Sequence, residues 1–299
     1  MSEQLSLEEV RNGQSLLMEL LQEVSVEEGM LSGGTERNTT LNELLQLREA
    51  AVKLGNPRNH LIRLTSKLFE SIGFELSDVY KYQMRNQFDF YYMTQTISLQ
   101  SAAGIPFRQL EFTLDFGPKG GNEPIIQSIF PKREWKEKLS LGAGFSLSIN
   151  GDMQLRAEVN TPIGLNIAQL QTTVGSIGKA NAFVTVPEFT FKLGQVEITT
   201  RGEGNSNCYW RIEQSRLQEV QDVQFVIVFK VPKGTRSIEL DGLAASEPSS
   251  LWIADHTRDA FEHLSNKFRV MLRRGVSGQS GRDRFLIYAF EHWLITLPD

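Results

Sequence analysis

Leu139-Ser-Leu-Gly-Ala-Gly-Phe-Ser-Leu-Ser-Ile149 alternates apolar and small polar residues without a break. Leu139, Leu141, Ala143, Phe145, Leu147 and Ile149 fall on one face of an extended chain, and Ser140, Gly142, Gly144, Ser146 and Ser148 on the other. A period of two predicts a β-strand. On a solvated strand face Lys, Glu and Thr are the common choices. A face of Ser and Gly alone suits a second covered surface, a partner or a bilayer. The low charge persists downstream: residues 139–187 contain only Asp152, Arg156, Glu158 and Lys179 as charged side chains.

Asn150-Gly151 follows at once and reads as a hairpin. A two-residue loop would place Ile149 beside Asp152. A three-residue loop places Ile149 beside Met153, Leu147 beside Leu155 and Phe145 beside Ala157. Burial of one face predicts the second register, with Gly151 or Asp152 near left-handed geometry.

The same period extends on both sides. Phe88, Phe90 and Tyr92 alternate with Asp89 and Tyr91, and Leu110, Phe112, Leu114 and Phe116 with Glu111, Thr113 and Asp115. Phe189 to Ile198 and Cys208 to Ile212 predict further strands. Val223 to Val231, apolar except for Gln224 and Lys230, suits a central strand, with Ser237 to Leu240 returning beside it. Gly117 to Pro124 is a loop by composition.

Helical spacing appears at both ends. Ser6-Leu-Glu-Glu9 is a capping box, followed by Val10, Leu17, Leu20, Leu21 and Val24 on one stripe. After a loop from Gly29 to Asn38, Thr40-Leu-Asn-Glu43 predicts a second helix carrying Leu44, Leu47, Ala51 and Leu54. Asn56-Pro57 predicts a third, with Leu61, Leu64, Leu68 and Ile72 inward. Residues 251–274 predict one helix with Ile253, Ala260, Leu264, Phe268 and Met271 inward, stopped by Gly275. Helices segregated from strands predict an α+β fold: an N-terminal helical region over 1–75, a large mainly antiparallel β-sheet or sandwich over 86–245, and a C-terminal helix packed on it, with a linker and an apolar terminal segment, over 250–299.

The 299 residues are 40% hydrophobic and 22% charged, ample for a sizeable core. The net charge of −5 argues against nucleic acid as a partner. Cys208 is the single cysteine, and the acidic N-terminus lacks an apolar signal region, so a reducing cytoplasm is the expected compartment. No apolar run reaches the length of a transmembrane helix.

Chemistry is sparse. The chain has no phosphate-binding glycine loop and no nucleophile elbow, and no cofactor is expected. Cys208 sits in an apolar, aromatic strand and reads as a small buried hydrophobe. On one helix, His256, Asp259 and His263 would share a face and could hold a divalent metal; the plainer reading is a solvated stripe. Lys267, Arg269, Arg273, Arg274, Arg282 and Arg284 form a basic cluster that could meet phosphate, or could simply end a helix. Phe285 to Leu297 reads as a last helix or strand completing the core, or as a plug released by cleavage near Arg273-Arg274.

These features predict a non-enzymatic intracellular binding or assembly protein on a β-rich scaffold, with a protein partner. The first alternative is an autoinhibited membrane-permeabilising effector. Its 139–160 hairpin would present Leu139, Leu141, Phe145, Leu147, Ile149, Met153 and Leu155 to a membrane or partner, with oligomerisation. The second alternative is a metal-dependent enzyme.

Overall fold

The computed structural model describes residues 5–30, 42–71, 76–100, 106–131, 139–140, 145–149, 155–159, 197–213, 217, 222–258, 263–276 and 284–299. The period-two segments form two five-stranded antiparallel sheets. In the first, β3 (Phe88–Gln100) pairs along one side with β11 (Asp222–Pro232), which in turn pairs with β5 (Ile125–Phe130). The other side of β3 is shared by two short strands, β1 (Ala51–Leu54) on Ile97 to Gln100 and β2 (Leu61–Leu64) on Phe90 to Met93. The second sheet runs β13-β12-β4-β10-β9, with β4 (Phe107–Gly117), β9 (Glu197–Arg201), β10 (Asn207–Glu213), β12 (Ser237–Pro248) and β13 (Ile287–Thr296).

The sheets meet through aromatic side chains, as a sandwich core requires. Phe225 of the first sheet contacts Phe112 and Trp210 of the second at centroid distances of 4.8 and 4.9 Å, and Phe116 contacts Phe229 at 4.9 Å. As its continuous apolar run implies, β11 is central, with Val223, Val231 and every residue from Phe225 to Phe229 buried.

The longer helices among the described residues border this core: α1 (Leu7–Met30), α2 (Ser66–Ser71), α3 (Asp78–Asn86), α4 (Ser250–His256) and α5 (Asn266–Val276). The capping box forms as expected. Ser6 N–H donates to Glu9 Oε2 at 2.8 Å, and Glu9 N–H donates to Ser6 Oγ at 3.2 Å. The stripe Val10, Leu17, Leu20, Leu21 and Val24 is fully buried. The helix runs on to Met30, past the glycine read as loop.

Two helices expected from leucine spacing form only in part, the second as one turn over 42–45 and the third as α2. Residues 46–49 make a 3₁₀ turn, and 51–54 extend as β1. Asn56 does cap its segment, its Oδ1 accepting from Arg58 N–H at 3.0 Å, but what it caps is a 3₁₀ turn over Pro57–His60, and β2 follows. The long ladder edge of β3 offers each four-residue segment paired backbone that an isolated short helix cannot match. Thr40 and Ile72 lie outside the described residues. Within Phe285 to Leu297, Ile287–Thr296 is the strand β13, which completes the second sheet by pairing with β12, with Ile287 and Ile295 buried. The three sequence regions therefore share one hydrophobic core.

Helix α1 lies against the second sheet beside β13, where Val10 packs with Ala245 and Leu286. Gly13 permits this approach: Leu286 N–H donates to Gly13 O at 3.3 Å, and a Cβ at Gly13 would stand 2.7 Å from Arg284 O. Alanine would gain about 1 kcal/mol in helix propensity against about 1–3 kcal/mol of overpacking. The clashing atom belongs to the backbone, so packing wins. Gly13→Ala is expected to lower stability by about 1 kcal/mol, read as a lower denaturation midpoint; a raised midpoint would show that α1 rides on its strand loosely.

Candidate functional site

The chain leaves the first sheet after Phe130, at the end of β5, and enters the second at Glu197, the start of β9. Between these points lie β6 (Leu139–Ser140), β7 (Phe145–Ile149) and β8 (Leu155–Val159). They form a three-stranded antiparallel sheet of their own, and among the described residues it has no ladder to either five-stranded sheet.

Its register sorts the sequence by polarity. Phe145 pairs with Val159, Leu147 with Ala157 and Ile149 with Leu155, while Ser146 pairs with Glu158 and Ser148 with Arg156. Directly opposed positions of an antiparallel pair share a face. One row is thus entirely apolar, and the other carries serines and the two charges. The three-residue loop is corrected. Ile149 pairs with Leu155 rather than Met153, two positions away, and a shift of two leaves every residue on its expected face. The single strand from Leu139 to Ile149 is also corrected, because β6 folds back on β7 with Leu139 opposite Leu147. Leu141, Gly151, Asp152 and Met153 lie outside the described residues.

Where the chain re-enters the second sheet, a buried ionic network stands beside it. Glu197 is level with Glu213 on β10, which pairs with Gln109 on β4, which pairs with Glu247 on β12. Arg284 reaches over these strands. Its Nη1 lies 2.8 Å from Glu111 Oε1 and its Nε 2.8 Å from Glu247 Oε2. The Tyr209 hydroxyl donates to Glu111 Oε2 at 3.1 Å, and Arg108 approaches Glu247 at 3.3 Å. Burial alone would lower the Arg284 pKa; Glu247 and Glu111 more than reverse that and hold the guanidinium charged. Burial, and then the Glu111 carboxylate, pushes the Tyr209 phenol up. Such a network binds the segment before β13 to the sheet.

Of the metal candidates, His256 ends α4 and His263 lies in a turn before α5, so these two do not share a helical face; the described residues of 251–274 form two helices rather than one. Thr257, fully buried, turns its hydroxyl back to Ile253 O at 2.9 Å where α4 ends. His256 is already engaged: Nδ1 lies 2.8 Å from Trp252 O, Nε2 3.2 Å from Glu43, and the ring stacks on Trp252 at 3.8 Å. His263 borders a groove with Glu19 and Glu23, and Asp259 lies outside the described residues. No group of three or more metal-ligating side chains occurs among the described residues. Cys208 is buried, which pushes its thiol pKa well above the ordinary value.

The basic cluster disperses. Arg284 is in the ionic network, Lys267 pairs with Glu19 at 2.5 Å, and Arg273 and Arg274 occupy the last turn of α5. Arg282 lies outside the described residues. Sequence reasoning missed the ionic network; Glu111 in a period-two apolar run was its one signal.

No family model and no curated protein matches this chain. Among solved structures it is similar to one described as a pore forming protein, at 5% identity over 66% of this chain and 78% of that chain, with a TM-score of 0.31. It is also similar to the Clostridium perfringens NetB toxin in the membrane inserted form, at 9% identity over 53% and 76%, with a TM-score of 0.25. A third is Clostridium perfringens delta-toxin, at 11% identity over 67% and 78%, with a TM-score of 0.26. Scores this low carry no statement about what this chain does.

Proposed function

We propose that this chain is a non-enzymatic, membrane-permeabilising protein whose segment between β5 and β9 enters a bilayer while the two five-stranded sheets stay outside it. The observation that carries the reading is the register of β7 and β8. It aligns Phe145, Leu147, Ile149, Leu155, Ala157 and Val159 in one row, and the serines, Arg156 and Glu158 in the other. A bilayer accepts only fully paired backbone, with an apolar row toward lipid and a polar row toward water. No described helix is long and apolar enough to cross a membrane, so strands would have to do it.

Two physical consequences follow from strand length and number. β7 and β8 are five residues each, whereas a tilted crossing needs about 9–11. Insertion therefore requires the β6–β7 pairing to open, so that Leu139 to Ile149 becomes one strand. A closed barrel needs about eight strands or more; one hairpin supplies two, so about four or more copies must assemble around each pore.

Dye release from phospholipid vesicles tests the reading. Leu147→Arg places a charge in the apolar row, at about 2–4 kcal/mol per copy at the bilayer midplane. Release is expected to fall at least tenfold while the thermal unfolding of the sandwich stays unchanged. Equal release by the variant, or none from wild type, would sink the proposal. A second reading, a binding or assembly protein without insertion, is favoured by Phe290 and Leu294 on β13, which are 41% and 55% exposed. Wild-type protein that releases no dye but forms a complex dependent on those two side chains would establish it.

A further inference from the structure

We infer that the cleft between the β11–β12 turn, β2 and the end of β13 binds a phosphate-bearing ligand. The inference does not depend on bilayer insertion. The cleft has a volume of about 550 Å³, within the range that takes small ligands. It lies where Phe88 pairs with Pro232, at the end of β3 and β11 away from the exit at Phe130, which is level with Val226.

A buried carboxylate organises it. Asp89, 7% exposed, accepts from Arg63 Nη2 at 2.7 Å and from Gly234 N–H at 3.3 Å, with Lys233 Nζ at 3.8 Å. An unpaired buried carboxylate would be costly, so Asp89 fixes Arg63 and the β11–β12 turn in place. Arg63 stands in the wall between this cleft and a second of about 340 Å³ that also holds Arg85. Its hydrogen bond to Asp89 raises the Arg63 pKa, and the remaining guanidinium N–H groups are available to a ligand.

The charge balance points to an anion. The chain is acidic overall, with a net charge of −5. Yet the larger cleft gathers Arg63, Lys233 and Arg236 against Asp89 and Asp299, and Asp89 is spent on Arg63, Lys233 and the backbone. Arg236 and Arg85 are exposed and make no ion pair among the described residues. Two planar forks and an ammonium around one opening match the tetrahedral, doubly charged end of a phosphomonoester better than a carboxylate. Among the described lining residues Asp299 is the acid left to compete with it.

Calorimetric titration with glycerol 3-phosphate, and co-sedimentation with phosphatidylcholine vesicles with and without phosphatidic acid, test the site and distinguish its sources. Saturable heat from glycerol 3-phosphate identifies a free phosphate ester. Binding confined to vesicles containing phosphatidic acid identifies the lipid headgroup. Whichever probe binds, Arg236→Glu should weaken it at least about tenfold, and Asp299→Asn should tighten it several-fold. Arg201→Glu, the same charge change at an exposed position on β9, should leave it within about twofold. The inference is overturned if neither probe binds, if Arg236→Glu binds as wild type does, or if Arg201→Glu loses as much. Dye release from pure phosphatidylcholine vesicles is unaffected by Arg236→Glu in any of these cases, so insertion stands or falls separately.

Discussion

Replacing Arg284 with alanine is expected to cost about 3–5 kcal/mol of folding stability, the range for removing one partner of a buried ion pair. Glu111 and Glu247 are 4% and 6% exposed at their side chains and Arg284 is 15% exposed, so solvent cannot take over the lost contacts. After the substitution Glu247 keeps Arg108, itself 35% exposed, and Glu111 keeps the hydroxyl of Tyr209 and the amide of Gln109. Neither remaining set neutralises two carboxylates. The comparison that isolates the charge is a triple variant, Arg284→Met with Glu111→Gln and Glu247→Gln. It removes both charges along with their partner and should recover most of the loss, because replacing a whole buried ionic set is often neutral. Urea denaturation followed by tryptophan fluorescence reads both. A loss below about 1 kcal/mol for Arg284→Ala would mean that the network is solvated and worth no more than a surface pair.

Trp210→Ala is expected to be as damaging, at about 3–5 kcal/mol. Trp210 is fully buried on β10, stacked on Phe112 at 5.4 Å and tilted against Phe225 at 4.9 Å, so the truncation opens a cavity where the two sheets touch. Its indole Nε1 has no hydrogen-bond partner among the described residues. Trp210→Phe therefore loses area and packing but also deletes an unsatisfied buried N–H, and the second effect offsets part of the first. The phenylalanine variant should lose less than half as much as the alanine variant in the same denaturation assay. Equal losses would show that the indole N–H is bonded in solution and that its bond, rather than ring packing, holds the sheets.

The long strands could be read directly from the chain, because seven or more residues of alternation outlast any accidental pattern. β4 is of this kind from Leu110 to Phe116; β3 alternates over Phe88 to Tyr92, β10 is legible over Cys208 to Ile212, β11 from its continuous apolar run, and β12 only over Ser237 to Leu240. β1 and β2 could not. Four residues are too few to show a period, and Leu61 and Leu64 sit three apart, as on a helix. What decides them is the free side of β3, which no local window contains. The hairpin shows the same division. Alternation selected the face of every residue, since only an even shift keeps apolar opposite apolar. It could not choose between Met153 and Leu155 as the partner of Ile149, because both are apolar. The ionic network lay furthest out of reach: Arg284 bonds Glu111 across a sequence separation of 173 and Glu247 across 37, and its own neighbourhood reads as a polar linker.

Gly13 accepting a hydrogen bond from Leu286, together with β13 closing on β12, sets the order in which a chain leaving the ribosome can fold. The first helix meets its strand partner only after the chain that separates Gly13 from Leu286 has been made. Contacts of such high sequence separation slow folding and make it largely post-translational. A nascent chain that has emerged as far as Leu272 carries β12 with one flank unpaired, since Ile287 to Thr296 are still to come. During that interval the open flank of β12 is a template for a neighbouring nascent chain, which predicts that crowded polysomes, not the finished protein, are where this sequence is most prone to aggregate.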